Sequence, residues 1–96
     1  MIKTYTSKRL KDLRERGESK GIDPKSAERI LELLDALNNA EKPSDMNLPG
    51  AGFHKLKGDL KDFYAVTIRA QWRIIFMWDW EEGRPFRVGE IDYHGK

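Results

Sequence analysis

The sequence predicts an α+β domain in which two helices pack on one face of a mainly antiparallel β-meander. Three observations carry that reading. The stretch after Asp23-Pro24 repeats apolar residues at steps of three and four, the period of an amphipathic helix. The segment from Phe53 to Trp78 holds two runs rich in β-branched and aromatic residues, which favour strands. The connections between the late runs are too short for a crossover, so neighbouring strands run antiparallel.

Taken in order, Ile2 to Tyr5 has the character of a short N-terminal strand. Ser7 offers an N-cap, Leu10 and Leu13 follow at helical spacing, and Gly17 is a stop, which gives a helix over 8–16. Asp23 suits the N-cap of a second helix and Pro24 its first position, where a missing N–H is harmless. Ala27, Ile30, Leu31, Leu34 and Leu37 form its stripe, widened by Leu33, Ala36 and Ala40. A helix over 24–39 is about 24 Å long at 1.5 Å per residue. So wide an apolar face has to be buried, most simply against a sheet.

Residues 41–52, with Pro43, Pro49, Gly50 and Gly52, read as a surface loop, and Leu56 to Leu60 as a turn. Phe63 to Ile68 is a strand with Tyr64, Val66 and Ile68 on one face. Ala70-Gln71 is short enough for a hairpin connection. Trp72, Ile74, Phe76 and Trp78 then alternate with Arg73, Ile75 and Met77, and their common face assigns Trp72, Phe76 and Trp78 to the core. Asp79 to Pro85 is a further turn, and Phe86 to Tyr93 a last strand that Gly89 weakens.

Ninety-six residues without an internal repeat make a single domain, 1–96. No apolar run approaches the roughly 20 residues that span a bilayer, so no membrane partner is expected. Met1 to Thr6 lacks the apolar centre of a secretion signal, and a cytoplasmic location is the default expectation. The absence of cysteine excludes disulfides and thiolate metal sites. The net charge of +2 is unevenly spread: residues 1–29 carry nine Lys/Arg against five Asp/Glu, and residues 53–73 five against two. A basic tilt of this kind fits a polyanion partner.

The chemistry-bearing residues gather in the second half. RNA cleavage without a metal needs a base for the 2′-hydroxyl, cations for charge developing on phosphorus, and an acid for the departing 5′-oxygen. His54, Asp92, Tyr93 and His94 can move protons, and Lys57 and Arg73 can neutralise phosphate. In an extended tail Asp92 and His94 point one way and Tyr93 the other. Tyr93 is also a candidate for stacking on a base. Convergence of these groups requires the last strand to lie beside residues 53–73. The competing use is a metal-binding facial triad of two histidines and a carboxylate, although paired ligand spacing on a helix is missing. No serine sits in a glycine-framed turn, and Gly50-Ala51-Gly52 lacks the rest of a phosphate-binding motif. No cofactor and no metal is called for.

Leu56-Lys57-Gly58-Asp59-Leu60, then Gln71-Trp72-Arg73-Ile74-Ile75-Phe76, then Asp92-Tyr93-His94 resemble the HigB branch of the RelE/ParE toxin superfamily. The likeness extends over nearly the whole chain. It implies a small RelE-like fold and a toxin of a type II toxin–antitoxin module. The implied activity is that of a metal-independent mRNA endonuclease, which acts in the A site of the 70S ribosome with the 2′-hydroxyl as nucleophile. The implied protein partner is a HigA-like helix-turn-helix antitoxin, and operator DNA is reached only through it. The resemblance assigns catalysis to His54, Lys57, Arg73, Asp92, Tyr93 and His94, and RNA contacts to Lys55, Lys61, Arg69 and Gln71. Two other classes remain open at this point: a non-catalytic ParE-like topoisomerase poison, and a plain basic RNA-binding module.

Overall fold

The computed structural model describes residues 1–93. In chain order the elements are α1 (Lys8–Arg16), α2 (Pro24–Asn39), a 3-10 turn (Pro43–Met46), β1 (His54–Lys55), a second 3-10 turn (Gly58–Leu60), β2 (Tyr64–Arg69), β3 (Trp72–Asp79) and β4 (Arg84–Asp92). The strands form one antiparallel sheet in the order β1-β2-β3-β4. The α+β class, both helices and the meander stand as the sequence predicts.

Local chemistry explains the helix ends. The Ser7 hydroxyl accepts from the Leu10 N–H at 3.3 Å, and Gly17 closes α1 at φ 70°, a left-handed conformation that suits glycine. The Asp23 carboxylate accepts from the Lys25 N–H at 3.0 Å, satisfying one of the orphan donors of the first turn of α2. The stripe of α2 (Ile30, Leu33, Leu34 and Leu37) packs on Val66, Ile68, Ile74, Phe76 and Val88 of the sheet. Leu10 and Leu13 of α1 join the same core, with Phe76 fully buried in it. A smaller apolar cluster lies apart from it, with Leu56, Ala65 and Ile75 buried and Leu60, Phe63, Ile91 and Tyr93 packed around them.

Several sequence expectations change. The loop 41–52 contains a 3-10 turn that buries Pro43 and Met46. Trp72 is 41% exposed, whereas Ile74, Phe76 and Trp78 are buried. It shares their face, but it is the first residue of β3, next to the hairpin and at the limit of the helix cover. Residues 3–6 form a strap along β4 rather than a full strand. The Lys3 N–H donates to the Pro85 carbonyl and the Thr6 N–H to the Val88 carbonyl, both at 2.8 Å, and Tyr5 makes one parallel bridge to Val88. A regular ladder is broken there, because β4 bulges at Arg87, which stands at φ 52°. Gly89 does not weaken β4. It admits the strap, since a Cβ at that position would lie 2.1 Å from Thr6 Oγ1.

The strap is also pinned by charge. Lys3 Nζ lies 2.8 Å from Glu82 Oε2 and 3.1 Å from Asp79 Oδ2. Glu82 and then Asp79 hold the Lys3 ammonium above its ordinary range. The Lys3 ammonium holds the Glu82 carboxyl low. The Glu82 N–H, followed by Lys3, does the same for Asp79.

Two predictions arise here. Gly89→Ala is expected to lower stability by about 1–3 kcal/mol, the cost of overpacking, read from urea unfolding. The depressed carboxyls contribute stability that is present above the ordinary carboxylate range and lost as pH falls through their folded values. The raised Lys3 contributes below its ordinary range and ceases to as pH rises through its folded value. The urea midpoint is therefore expected to fall as the pH drops below about 4, and to fall less in Lys3→Ala.

Candidate active site

The strand register gathers several of the candidate residues on one face of the sheet. His54 pairs with Ala65, Ala65 with Ile75, and Ile75 with Gly89, so these four form one row across the sheet. Thr67, Arg73 and Ile91 form the next row, two residues along each strand. Side chains two apart in a strand share a face. His54, Thr67, Arg73 and Ile91 therefore stand on one side, with Ile75 and Leu56 as an apolar floor. Both α-helices lie against the opposite side.

The chain end joins this face. The Tyr93 N–H donates to the Gln71 carbonyl at 2.8 Å, which keeps residue 93 beside the β2–β3 hairpin. The Tyr93 and His54 rings lie 6.0 Å apart, tilted at 43°. The last strand thus lies next to the basic segment, as convergence requires.

Each polar group has a distinct hold. His54 Nδ1 lies 2.7 Å from the Gly52 carbonyl oxygen. Arg73 Nη1 donates to the Ala70 carbonyl at 2.5 Å and to the Trp72 carbonyl at 3.2 Å. Its Nε is buried without a hydrogen-bond partner among the described residues. The two carbonyls fix the guanidinium beside the hairpin, and a fixed cation suits an anionic oxygen. Ala70 makes this arrangement at φ 49° in the two-residue connection. Lys57 is exposed just after β1, at the start of the turn Gly58–Leu60, and Lys61 is exposed at its end.

Other expected residues fall elsewhere. Asp92 pairs with Trp72, so its side chain leaves the sheet on the side opposite Arg73 and Ile91, at the last position of β4. Lys55 also faces away from His54, with its Nζ 5.6 Å from the centroid of the Tyr64 ring. Arg69 Nη1 donates to Asp23 Oδ2 at 3.3 Å, on the helix side. Gln71 is half-buried, and its carbonyl holds Tyr93. His94 lies outside the described residues, and with it the two-histidine metal triad. Among the described residues no group of three or more His, Cys, Asp or Glu is placed to hold a metal ion.

Sequence reasoning missed Gly52 and Thr67. The signal was the Gly50-Ala51-Gly52 run, read as part of a surface loop and as lacking the rest of a phosphate-binding motif. The carbonyls of its last two residues meet the strands: the Thr67 N–H donates to the Ala51 carbonyl at 2.7 Å, and the Gly52 carbonyl faces His54.

Residues 3–94 match the family described as the RelE-like toxin of the type II toxin–antitoxin system HigB. The chain belongs to the HigB-like toxin family. It is 34% identical over 94 residues to the endoribonuclease HigB of Proteus vulgaris, covering 98% of this chain and the whole of that protein. It is 41% identical over 51 residues to the toxin HigB-1 of Vibrio cholerae, covering 52% of this chain and 50% of that one. The solution structure of a conserved hypothetical protein from Helicobacter pylori aligns with a TM-score of 0.48 and 24% identity, over 98% of this chain and 93% of its own. A HigB-like toxin of a type II module has an antitoxin as its partner.

The exposure of Trp72 separates it from the core aromatics. Trp72→Ala is expected to shift unfolding free energy by less than about 1 kcal/mol, against about 3–5 kcal/mol for Phe76→Ala. Equilibrium denaturation of the two variants measures the contrast.

Proposed function

We propose that this HigB-like toxin is an endoribonuclease that cuts translated mRNA on the ribosome by acid–base attack of the 2′-hydroxyl, without a metal ion. The observation that carries the reading is the shared sheet face of His54, Arg73 and Tyr93 over an apolar floor. The name of the Proteus vulgaris relative supports the same activity class.

The roles follow from the chemistry of each group. His54 takes the proton of the 2′-hydroxyl, and the freed 2′-oxygen bonds to phosphorus. Arg73, with Lys57 at the margin, neutralises the charge that builds on the phosphoryl oxygens. The bond from phosphorus to the 5′-oxygen breaks, and that oxygen leaves with a proton supplied from the chain end, where Tyr93 lies on the face of His54. The products are a 2′,3′-cyclic phosphate and a free 5′-hydroxyl. Lys61, after the turn Gly58–Leu60, and Gln71, in the β2–β3 hairpin, contact the RNA at the two ends of β2. The antitoxin is of the HigA-like helix-turn-helix kind, contacts with operator DNA run through it, and the toxin acts in the cytoplasm.

Expression in growing cells is expected to arrest growth and to leave cuts within translated codons, mapped at the 5′-hydroxyl ends. EDTA added to a translating extract, with free magnesium restored for the ribosome, should leave the cutting rate unchanged; a lower rate would point to a bound transition metal. His54→Ala and Arg73→Ala should each lower cleavage by about 100-fold or more, whereas Arg69→Ala, already matched by Asp23, should change it by less than about threefold. Intact messages in arrested cells, together with loss of gyrase supercoiling, would reassign the protein to topoisomerase poisoning. RNA binding without cutting would leave only a basic binding module.

A further inference from the structure

We propose that Gly52 is a positioning residue whose carbonyl oxygen fixes the tautomer of His54, so that Nε2 is the ring atom free to take a proton. The inference rests on the nuclease reading for its consequence but not for its geometry.

The carbonyl decides the protonation pattern. A carbonyl oxygen only accepts, so at 2.7 Å the hydrogen is on His54 Nδ1. A neutral imidazole has a single N–H, and Nε2 is left with its lone pair. When Nε2 takes the 2′-hydroxyl proton the ring becomes an imidazolium, and the Nδ1–H bond to Gly52 persists. The ring therefore has no reason to turn during the transfer, which keeps the base aligned.

The Gly52 carbonyl is itself held in place. Gly52 stands at φ 55°, where any L side chain is strained, and a Cβ there would meet Thr67 Oγ1 at 3.2 Å. One residue earlier, the Thr67 N–H anchors the Ala51 carbonyl to β2. Thr67 also pairs directly with Arg73. A single β2 residue thus braces the loop that orients the proton acceptor and stands opposite the cation. That arrangement fixes the spacing between the two by backbone rather than by flexible side chains.

Long-range proton–nitrogen NMR of the whole chain tests this. At a pH where His54 is neutral, the wild type is expected to show the Nδ1–H tautomer. Gly52→Ala should move the ring toward Nε2–H and lower kcat about tenfold or more, with KM within about twofold. Gly50→Ala is the control: it carries a similar left-handed φ of 76° with open space around its Cβ, and should leave both tautomer and kcat unchanged. A wild-type Nε2–H tautomer overturns the proposal. So does Gly52→Ala with unaltered tautomer and kcat. If Gly52→Ala fails to fold, the wild-type spectrum still decides. A wild type that shows the Nδ1–H tautomer but cuts no translated message sinks the nuclease reading and upholds the backbone clamp.

Discussion

The register of β3 between two antiparallel neighbours is the constraint on which the molecule depends. Ile74, Phe76 and Trp78 enter the helix-covered core, and Arg73 and Ile75 emerge on the other side. The side-chain period of a strand is two, so a slip by one residue would bury Arg73 and expose Phe76. Burial of Phe76 against α2 therefore fixes the chemistry of the opposite face as well as the stability of the core. The same row structure places His54 through β2 and Ile91 through β4, with no contact needed between the functional groups themselves.

Both faces of the sheet carry apolar residues, but only one is roofed by helices. The other has its own small cluster around Ile75, on which the polar groups stand. An apolar floor excludes water from beneath the groups that stand on it, and electrostatic interactions strengthen where water is excluded. The side chains of His54 and Arg73, proposed to act on the RNA, are steadied by main-chain carbonyls of residues at positive φ, Gly52 for His54 and Ala70 for Arg73. Backbone in the left-handed region carries strain for a residue such as Ala70, and it persists where the surrounding fold over-determines it. Here the hairpin closure and the β2 anchor supply that determination.

The end of β4 is secured from the helix side. Glu90 accepts from Arg9 Nε at 3.0 Å and from the Ser7 hydroxyl at 3.4 Å, which ties the strand to the start of α1. The strap over Gly89 acts on the same strand, and the Lys3 ion pairs tie the start of that strap to the end of β3 and the turn after it. These contacts lie far from His54 in the sequence, yet they locate Ile91 and the backbone of Tyr93 beside the hairpin. For a HigB-like toxin of this size, the supports of the fold and of the site are the same bonds.

Much of the architecture was legible without coordinates. Asp23-Pro24 with the leucine stripe determined α2, and alternation from Trp72 to Trp78 determined which residues of β3 share a face. These are local signals, because capping and periodicity act within a few residues. The family likewise could be read from short motifs at Leu56–Leu60, Gln71–Phe76 and the chain end. Tertiary structure alone decided that Trp72 lies at the limit of the helix cover, that Gly89 makes room for Thr6, and that Asp92 leaves the sheet opposite Arg73. It alone showed that Gly52 holds His54. The first three depend on which distant segment arrives at a given strand position, and the fourth on the anchoring of the Gly52 loop by Thr67 of β2; a linear pattern of residue types carries no record of either.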